Sequence, residues 1–257
     1  MICAGIDAGS RTTKVVLVDA ASRDVVASGV VDQGVQQDAI ASDLLDSLLD
    51  ERGLTRDALR RTVATGYGRN AISAADLTIT EITCQAVGVR RVAPECATII
   101  DIGGQDSKLI RLAADGSVED FAMNDRCAAG TGRFLEVVAS RLGVTLDRLV
   151  ELAARSTNPA AISSMCVVFA ESEIVGLLAD GAAPEDIVAG VEASIARRVA
   201  AMAGRRTKGP VVFTGGVALV GAMRASLANV LGLDVAIAPT PQLTGALGAA
   251  LLAARRA

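Results

Sequence analysis

At 257 residues the chain is long enough for one large domain or for two lobes that each bury a core. A net charge of −4, with four Phe, one Tyr and no Trp, leaves few cationic or stacking groups for nucleic acid, and no apolar stretch reaches membrane-spanning length. With no histidine, imidazole bases, Ser-His triads and His-ligated metals are excluded; five cysteines without a CxxC pair argue against a disulfide framework or a zinc knuckle. Strand-like sequence begins at once, without a basic flank or cleavage site, so the expectation is a cytoplasmic protein with no signal peptide.

Residues 2–6 read as a strand, Asp7-Ala8-Gly9-Ser10-Arg11-Thr12-Thr13-Lys14 as a tight turn, and 15–18 as the returning strand. A third strand is predicted over 24–31, a helix over 39–51 ending at Gly53, and a strand over 61–65 that runs into the glycine turn Gly66-Tyr67-Gly68-Arg69. A helix over 80–92 stops before Pro94. The opening hairpin then returns: strand 97–102, turn Asp101-Ile102-Gly103-Gly104-Gln105-Asp106-Ser107-Lys108, strand 109–112. Aspartate, glycine, hydroxyl residue and lysine coincide in the two copies. Helices follow over 131–142, 167–178 and 185–204, then a buried strand over 210–214 ending in Gly215-Gly216, a last strand over 235–238, and an Ala/Leu helix over 244–256.

Glycines at 9, 103 and 104 let backbone N–H groups approach an anion, while Ser10, Arg11, Thr12, Thr13, Lys14 and Lys108 add donors and charge. Two such hairpins facing each other would grip one polyphosphate, with Asp7 and Asp101 near its Mg²⁺. The turn Thr214-Gly215-Gly216-Val217-Ala218 would let a purine and its ribose lie against the backbone at Gly215, Gly216 and Ala218. Together these elements predict the α/β fold of actin, sugar kinases and Hsp70-type ATPases, which is ribonuclease H-like with two duplicated lobes. The lobes are expected over 1–93, completed by helix 244–257, and over 94–243, joined by a hinge without a spacer. Glu81 or Gln105 would orient the hydrolytic water; the plainer alternative is a solvated or structural role for each, and hairpin-surface charge for Lys14 and Lys108.

Cys127 precedes a small, glycine-rich stretch that leads into a helix, and Cys166 directly precedes another, so both thiols are expected near helix N-termini, where partial positive charge favours thiolate and anions. Cys3, Cys84 and Cys96 read as small buried apolar residues. Two thiolates are half of what a cubane iron–sulfur cluster takes, and a two-fold dimer would present four.

The segments Asp101–Lys108, Asn124-Asp-Arg-Cys-Ala-Ala-Gly-Thr-Gly-Arg-Phe-Leu-Glu136, Cys166-Val-Val-Phe-Ala-Glu-Ser-Glu173, Phe213-Thr-Gly-Gly-Val-Ala218 and Pro241-Gln-Leu-Thr-Gly-Ala-Leu-Gly-Ala-Ala250 resemble the activator ATPases of 2-hydroxyacyl-CoA dehydratases, the BadF/BadG/BcrA/BcrD-type family that includes the ATPase subunits of benzoyl-CoA reductase. The likeness runs from residue 2 to about residue 252. It implies an ATP-hydrolysing one-electron donor in which Cys127 and Cys166 of each subunit hold one [4Fe–4S] cluster shared by a homodimer. It also implies ATP/ADP and Mg²⁺ as ligands, Gly130 and Gln242 among the nucleotide contacts, and oxygen sensitivity. A ferredoxin or flavodoxin would reduce the protein, and an iron–sulfur dehydratase or reductase acting on an acyl-CoA would receive the electron; neither nucleic acid nor membrane takes part. A histidine common in the family after Glu81-Ile82-Thr83-Cys84 is Gln85 here. A small-molecule kinase of the same fold is the alternative, with Asp106 or Asp125 as base, but it leaves the cysteine-led helix starts unexplained.

Overall fold

The structure, a computed structural model, describes residues 1–163, 166–203, 207–220 and 222–256. In chain order its elements are β1 (Ile2–Ala8), β2 (Thr12–Asp19), β3 (Val25–Asp32), α1 (Gln37–Asp50), β4 (Leu59–Thr65), β5 (Leu77–Thr78) and α2 (Glu81–Val92). There follow β6 (Thr98–Ile102), β7 (Ser107–Leu112), β8 (Val118–Asn124), α3 (Gly132–Leu142), α4 (Leu146–Ala153), α5 (Val167–Ala179), α6 (Pro184–Ala203), β9 (Val211–Thr214), α7 (Met223–Leu231), β10 (Val235–Ile237) and α8 (Thr244–Arg255). Gly204 and Ala257, the last residues of two expected helical stretches, lie outside the described residues.

The chain divides into one unit of Met1–Cys96, Leu112–Glu119 and Ala238–Ala257 and a second of Ala97–Arg111 and Asp120–Ile237. Sheet order is β3-β2-β1-β4-β5 in one sheet and β10-β9-β6-β7-β8 in the other, which is the same order read from opposite edges. In each, a central strand pairs antiparallel with its hairpin partner (β1 with β2, β6 with β7) and parallel with a later strand (β1 with β4, β6 with β9). The duplication seen in one turn therefore extends through five strands.

The central strands of the first sheet are buried on both faces. Ile2, Ala4, Ile6, Val15 and Leu17 pack with Leu45, Leu48 and Leu49 of α1, while Cys3, Val16 and Val18 pack with Cys84 of α2 and with Ala246, Ala249 and Ala250 of α8. A sheet covered on both sides needs apolar residues at consecutive positions, which is why its strands read as unbroken apolar runs. Glycines let α8 lie almost on the backbone of its neighbours: a Cβ on Gly5 would stand 2.1 Å from the Ala246 carbonyl oxygen, and one on Gly248 would stand 1.8 Å from that of Cys84. The second unit has its own core, built on Phe134, Phe213, Ile100, Leu109 and the inward face of α6.

Four elements were not predicted: β5, β8, α4 and α7. Strand β5 has two residues, β8 is an edge strand with mostly exposed side chains, and α7 has no side-chain cap. For α4 the cap was legible, since Thr145 accepts the Arg148 N–H, but eight residues offered little periodicity. Helix α1 starts at Gln37, before the predicted residue 39, because Gln36 makes no side-chain cap that would mark the start.

Glu192 of α6 is 1% exposed, its Oε1 has no hydrogen-bond partner, and burial pushes its pKa up from 4.5 to about 8. A carboxyl whose folded value is raised leaves stability intact below the unfolded value and removes it as pH rises towards the folded one. Between 4.5 and about 8, then, the wild type should lose stability relative to Glu192→Gln. Urea midpoints of both proteins across that window check this; parallel curves would contradict it.

Candidate functional site

The Asp7 hairpin closes through the Gly9 N–H donating to the Thr12 carbonyl at 3.1 Å. Asp7 and Lys14 face each other across β1 and β2, and Lys14 Nζ lies 3.5 Å from Asp7 Oδ2. Gly9, Ser10 and Thr12 are half-buried, Arg11 is exposed, and Thr13 is buried with its hydroxyl lacking a hydrogen-bond partner. Gln33, just past β3, was not singled out from the sequence, yet it fixes this turn. Its Nε2 donates to the Gly9 carbonyl at 3.0 Å and its N–H to that of Arg11 at 2.8 Å.

The Asp101 hairpin repeats the pattern with more charge. The Gly103 N–H donates to the Asp106 carbonyl at 2.9 Å, and Asp101 pairs with Lys108 across β6 and β7. Lys108 is 3% exposed, with Nζ 2.8 Å from Asp106 Oδ2 and 3.6 Å from Asp101 Oδ2. The turn carbonyls are taken up differently from those of the first copy: Gly103 accepts the Gly132 N–H and Gly104 the Arg133 N–H, each at 2.9 Å, from the first turn of α3. In a trans peptide N–H and C=O point opposite ways, so the N–H groups of Gly104 and Gln105 are directed away from α3.

Each aspartate is also abutted by a Thr-Gly turn that ends the parallel neighbour strand. Thr65 pairs with Asp7 and Thr214 with Asp101. Gly66 (φ 87°) and Gly215 (φ 88°) both adopt a conformation suited to glycine. A Cβ on either would stand 2.4 Å from the Oδ1 of Asp7 or Asp101, respectively. Gly66 is thus the counterpart of Gly215, a match the sequence carried in Thr65-Gly66 and Thr214-Gly215.

Of the other predicted residues, Gly216 is exposed and Ala218 buried in the short 3-10 turn Gly216–Leu219, and Gly130 is buried against Asn124 and Ser107. Gln105 is exposed at the tip of its turn, Glu81 is the first residue of α2, and Gln242 is half-buried just before α8. Gln85 is buried, and its Oε1 accepts a 2.7 Å hydrogen bond from the Thr244 hydroxyl at the start of α8.

Cys3, Cys84 and Cys96 are buried, Cys127 is half-buried and Cys166 exposed, and none is in a disulfide. Burial holds the Cys84 thiol up at about 12. Cys166 is the N-cap residue of α5, as expected. Cys127 caps the three-residue 3-10 turn Ala128–Gly130, not α3 itself: α3 begins at Gly132 behind its own cap, Thr131, and the Gly103 and Gly104 carbonyls occupy its first N–H groups. Among the described residues no three His, Cys, Asp or Glu side chains converge. Cys127 and Cys166 are the two cysteines that are not buried, and two thiols are half the number a four-thiolate set takes. Either aspartate by itself fits Mg²⁺, which takes one or two carboxylates together with phosphate oxygens and water.

Gly215→Ala would force an unfavourable φ and press a methyl group onto the Asp101 carboxylate. Mg-ATP turnover is expected to fall by about a hundredfold, the scale of an ångström-sized misplacement. Gly232→Ala (φ 64°, nothing within 4 Å) carries backbone strain without that clash and should keep wild-type turnover in the same assay.

The BadF/BadG/BcrA/BcrD ATPase family matches residues 4–253. The chain is 47% identical over 254 residues to the activator of lactoyl-CoA dehydratase of Anaerotignum propionicum, covering 98% of this chain and 97% of that one. The structure of the activator of the 2-hydroxyisocaproyl-CoA dehydratase from Clostridium difficile with bound ADPNP matches with a TM-score of 0.94 at 42% identity, over 100% of this chain and 95% of that one. A ROK family glucokinase from Streptomyces griseus, solved with glucose and AMPPNP, shares the fold alone, with a TM-score of 0.57 at 14% identity over the full length of both chains. No helix among the described residues is long and apolar enough to cross a membrane. Two units of actin and sugar-kinase type, with an aspartate hairpin in each, carry a sequence that belongs to the BadF/BadG/BcrA/BcrD ATPase family.

Proposed function

We propose that this chain is an ATP-hydrolysing activator that donates one electron at low potential to an iron–sulfur dehydratase or reductase acting on acyl-CoA thioesters. The observation that supports it best is the pair of aspartate hairpins, each with its carbonyls tied back and a Thr-Gly turn seated on its carboxylate. The relatives named as dehydratase activators and the ADPNP-bound neighbour support the same reading.

In this reading the N–H groups of Gly104 and Gln105, with Gly9, Ser10, Arg11 and Thr12 of the first hairpin, bind phosphate oxygens. Lys14 and Lys108, now on Asp7 and Asp101, turn to phosphate when nucleotide arrives, and the two carboxylates then hold Mg²⁺, which offsets charge on the transferred phosphoryl group. Gly215, Gly216 and Ala218 lie against the purine and ribose, with Gln242 completing the contacts. Gln105 or Glu81 orients the attacking water. Cys127 and Cys166, the two accessible thiols, supply half the ligands of a [4Fe–4S] cluster, and the same pair on a second copy supplies the rest. Such a cluster would provide a one-electron carrier that a ferredoxin or flavodoxin reduces. Beside Cys166, Val168 and Phe169 are 67% and 70% exposed, apolar surface that suits a second chain. A kinase of this fold would need an aspartate base, and Asp106 is already ion-paired to Lys108.

Asp7→Asn and Asp101→Asn should each sharply reduce Mg-ATP hydrolysis while leaving the melting temperature close to wild type. Wild-type turnover in both would exclude the hairpins as the phosphate site. Iron analysis of anaerobically purified protein tests the thiols: about four irons per dimer are expected in wild type and near zero in Cys127→Ser or Cys166→Ser. Cys3→Ser, Cys84→Ser and Cys96→Ser should keep their iron. Full iron content in Cys166→Ser would move the ligand set elsewhere.

A further inference from the structure

We propose that Gly132 is the positioning residue through which the Asp101 hairpin holds Cys127, so that occupancy of the phosphate turn is felt at the cysteine segment. The proposal rests on the reading above that this turn binds nucleotide phosphates. The two peptides whose N–H groups would meet a phosphate, Gly103–Gly104 and Gly104–Gln105, have their carbonyls on the N–H groups of Gly132 and Arg133. An anion that draws on one side of these planar units therefore acts on bonds to α3 at the other side.

Gly132 has little slack. A Cβ there would stand 3.1 Å from the Gly103 oxygen, 3.1 Å from Val217 Cγ2 and 3.4 Å from Gly104 Cα, so the residue is lodged between the phosphate turn and the Thr214–Ala218 turn.

From Gly132 back to the cysteine the chain is hydrogen-bonded throughout. The Thr131 hydroxyl donates to the Ala128 carbonyl at 2.9 Å and accepts the Arg133 N–H at 3.3 Å. The Gly130 N–H donates to the Cys127 carbonyl at 3.4 Å. Asn124 closes both backbone groups of Cys127: Nδ2 donates to its carbonyl at 2.8 Å, and its N–H donates to Oδ1 at 3.1 Å. Thr131 and Gly130 are buried, so the segment has no room to absorb a displacement of the turn by itself. The Asp7 turn is tied back differently. Its carbonyls end on Gln33, beyond an edge strand that leads to no accessible thiol.

Hydrogen–deuterium exchange of the full chain, with and without saturating Mg-ADPNP, tests this. In wild type, nucleotide should slow exchange in peptides from hairpin 1 (residues 2–18) and also at 124–131. Gly132→Pro deletes one donor at the first helical position, where proline is tolerated, and follows Thr131, whose extended backbone (φ −137°, ψ 172°) suits a residue before proline. Gly132→Ala keeps the N–H but crowds the turn, and it serves where the proline variant fails to fold. In both variants protection of 2–18 should persist; the nucleotide response at 124–131 should shrink by roughly fivefold in Gly132→Pro, the worth of one hydrogen bond, and in the same direction but by less in Gly132→Ala, whose methyl group presses on the Gly103 oxygen and leaves the bond in place. A wild-type response at 124–131 in both variants overturns the proposal, as does a wild-type protein that binds nucleotide with no change there. Loss of nucleotide binding in folded Gly132→Ala also overturns it, because Gly132 would then belong to the binding site. Absence of protection at 2–18 in wild type would instead defeat the proposed function.

Discussion

A turn can offer its N–H groups to an anion only if something behind it takes up its carbonyl oxygens, because the two ends of a peptide point opposite ways and a buried carbonyl left unpaired is costly. Both hairpins meet that demand, by different means. The first uses one side chain and one backbone amide, both from Gln33. The second uses two backbone amides at the positive end of a helix, which adds the dipole of α3 to the donors it orients. The duplicated sheets supply equivalent turns, and the elements behind those turns make the two copies unequal.

The charge around the two aspartates is unequal too. Lys14 stands against Asp7 in a one-to-one pair with both side chains partly exposed. Lys108 is ion-paired to both Asp101 and Asp106 and is almost wholly buried. A buried ammonium holds its charge only when closely paired, and removing one partner leaves a penalty larger than the pair's own worth. The second carboxylate lets Lys108 leave Asp101 without becoming unpaired, since Asp106, at 2.8 Å, is the nearer of the two.

Much of this was legible in the sequence because turns and caps leave residue-level marks. The hairpins showed as two aligned runs of aspartate, glycine, hydroxyl and lysine, and Thr80 and Thr131 marked helix starts that the structure keeps. Edge strand β8 and helix α7 left no comparable mark, since an exposed strand has no apolar alternation and a two-turn helix has little period, and for α4 the Thr145 cap stood without a period to support it. Gln33 was invisible for a different reason: its role depends on β3 returning beside the first hairpin, a contact across 24 residues that no local pattern encodes. Gly66 was visible as a turn but was not matched with Gly215, because the shared signal is only the dipeptide Thr-Gly and the residues after it diverge.

The two accessible thiols sit in settings of very different rigidity. Cys127 is clamped on both backbone groups by Asn124 and packs on the core of its unit. Cys166 begins a helix of thirteen residues in which only Ala170 and Ile174 are buried. Helices in proteins draw most of their stability from a buried face, and α5 presents Val168, Phe169 and Val175 outward. Its inner face, Val167, Ala170, Ile174, Leu177 and Leu178, packs on the core, with polar bonds beside it: Glu173 accepts from the Ser163 amide and hydroxyl, and Glu171 pairs with Arg141 of α3. The Cys127 side is thus fixed at both backbone groups by the chain's own hydrogen bonds, whereas the Cys166 side stands at the start of a helix whose outer apolar face is left for another surface to cover.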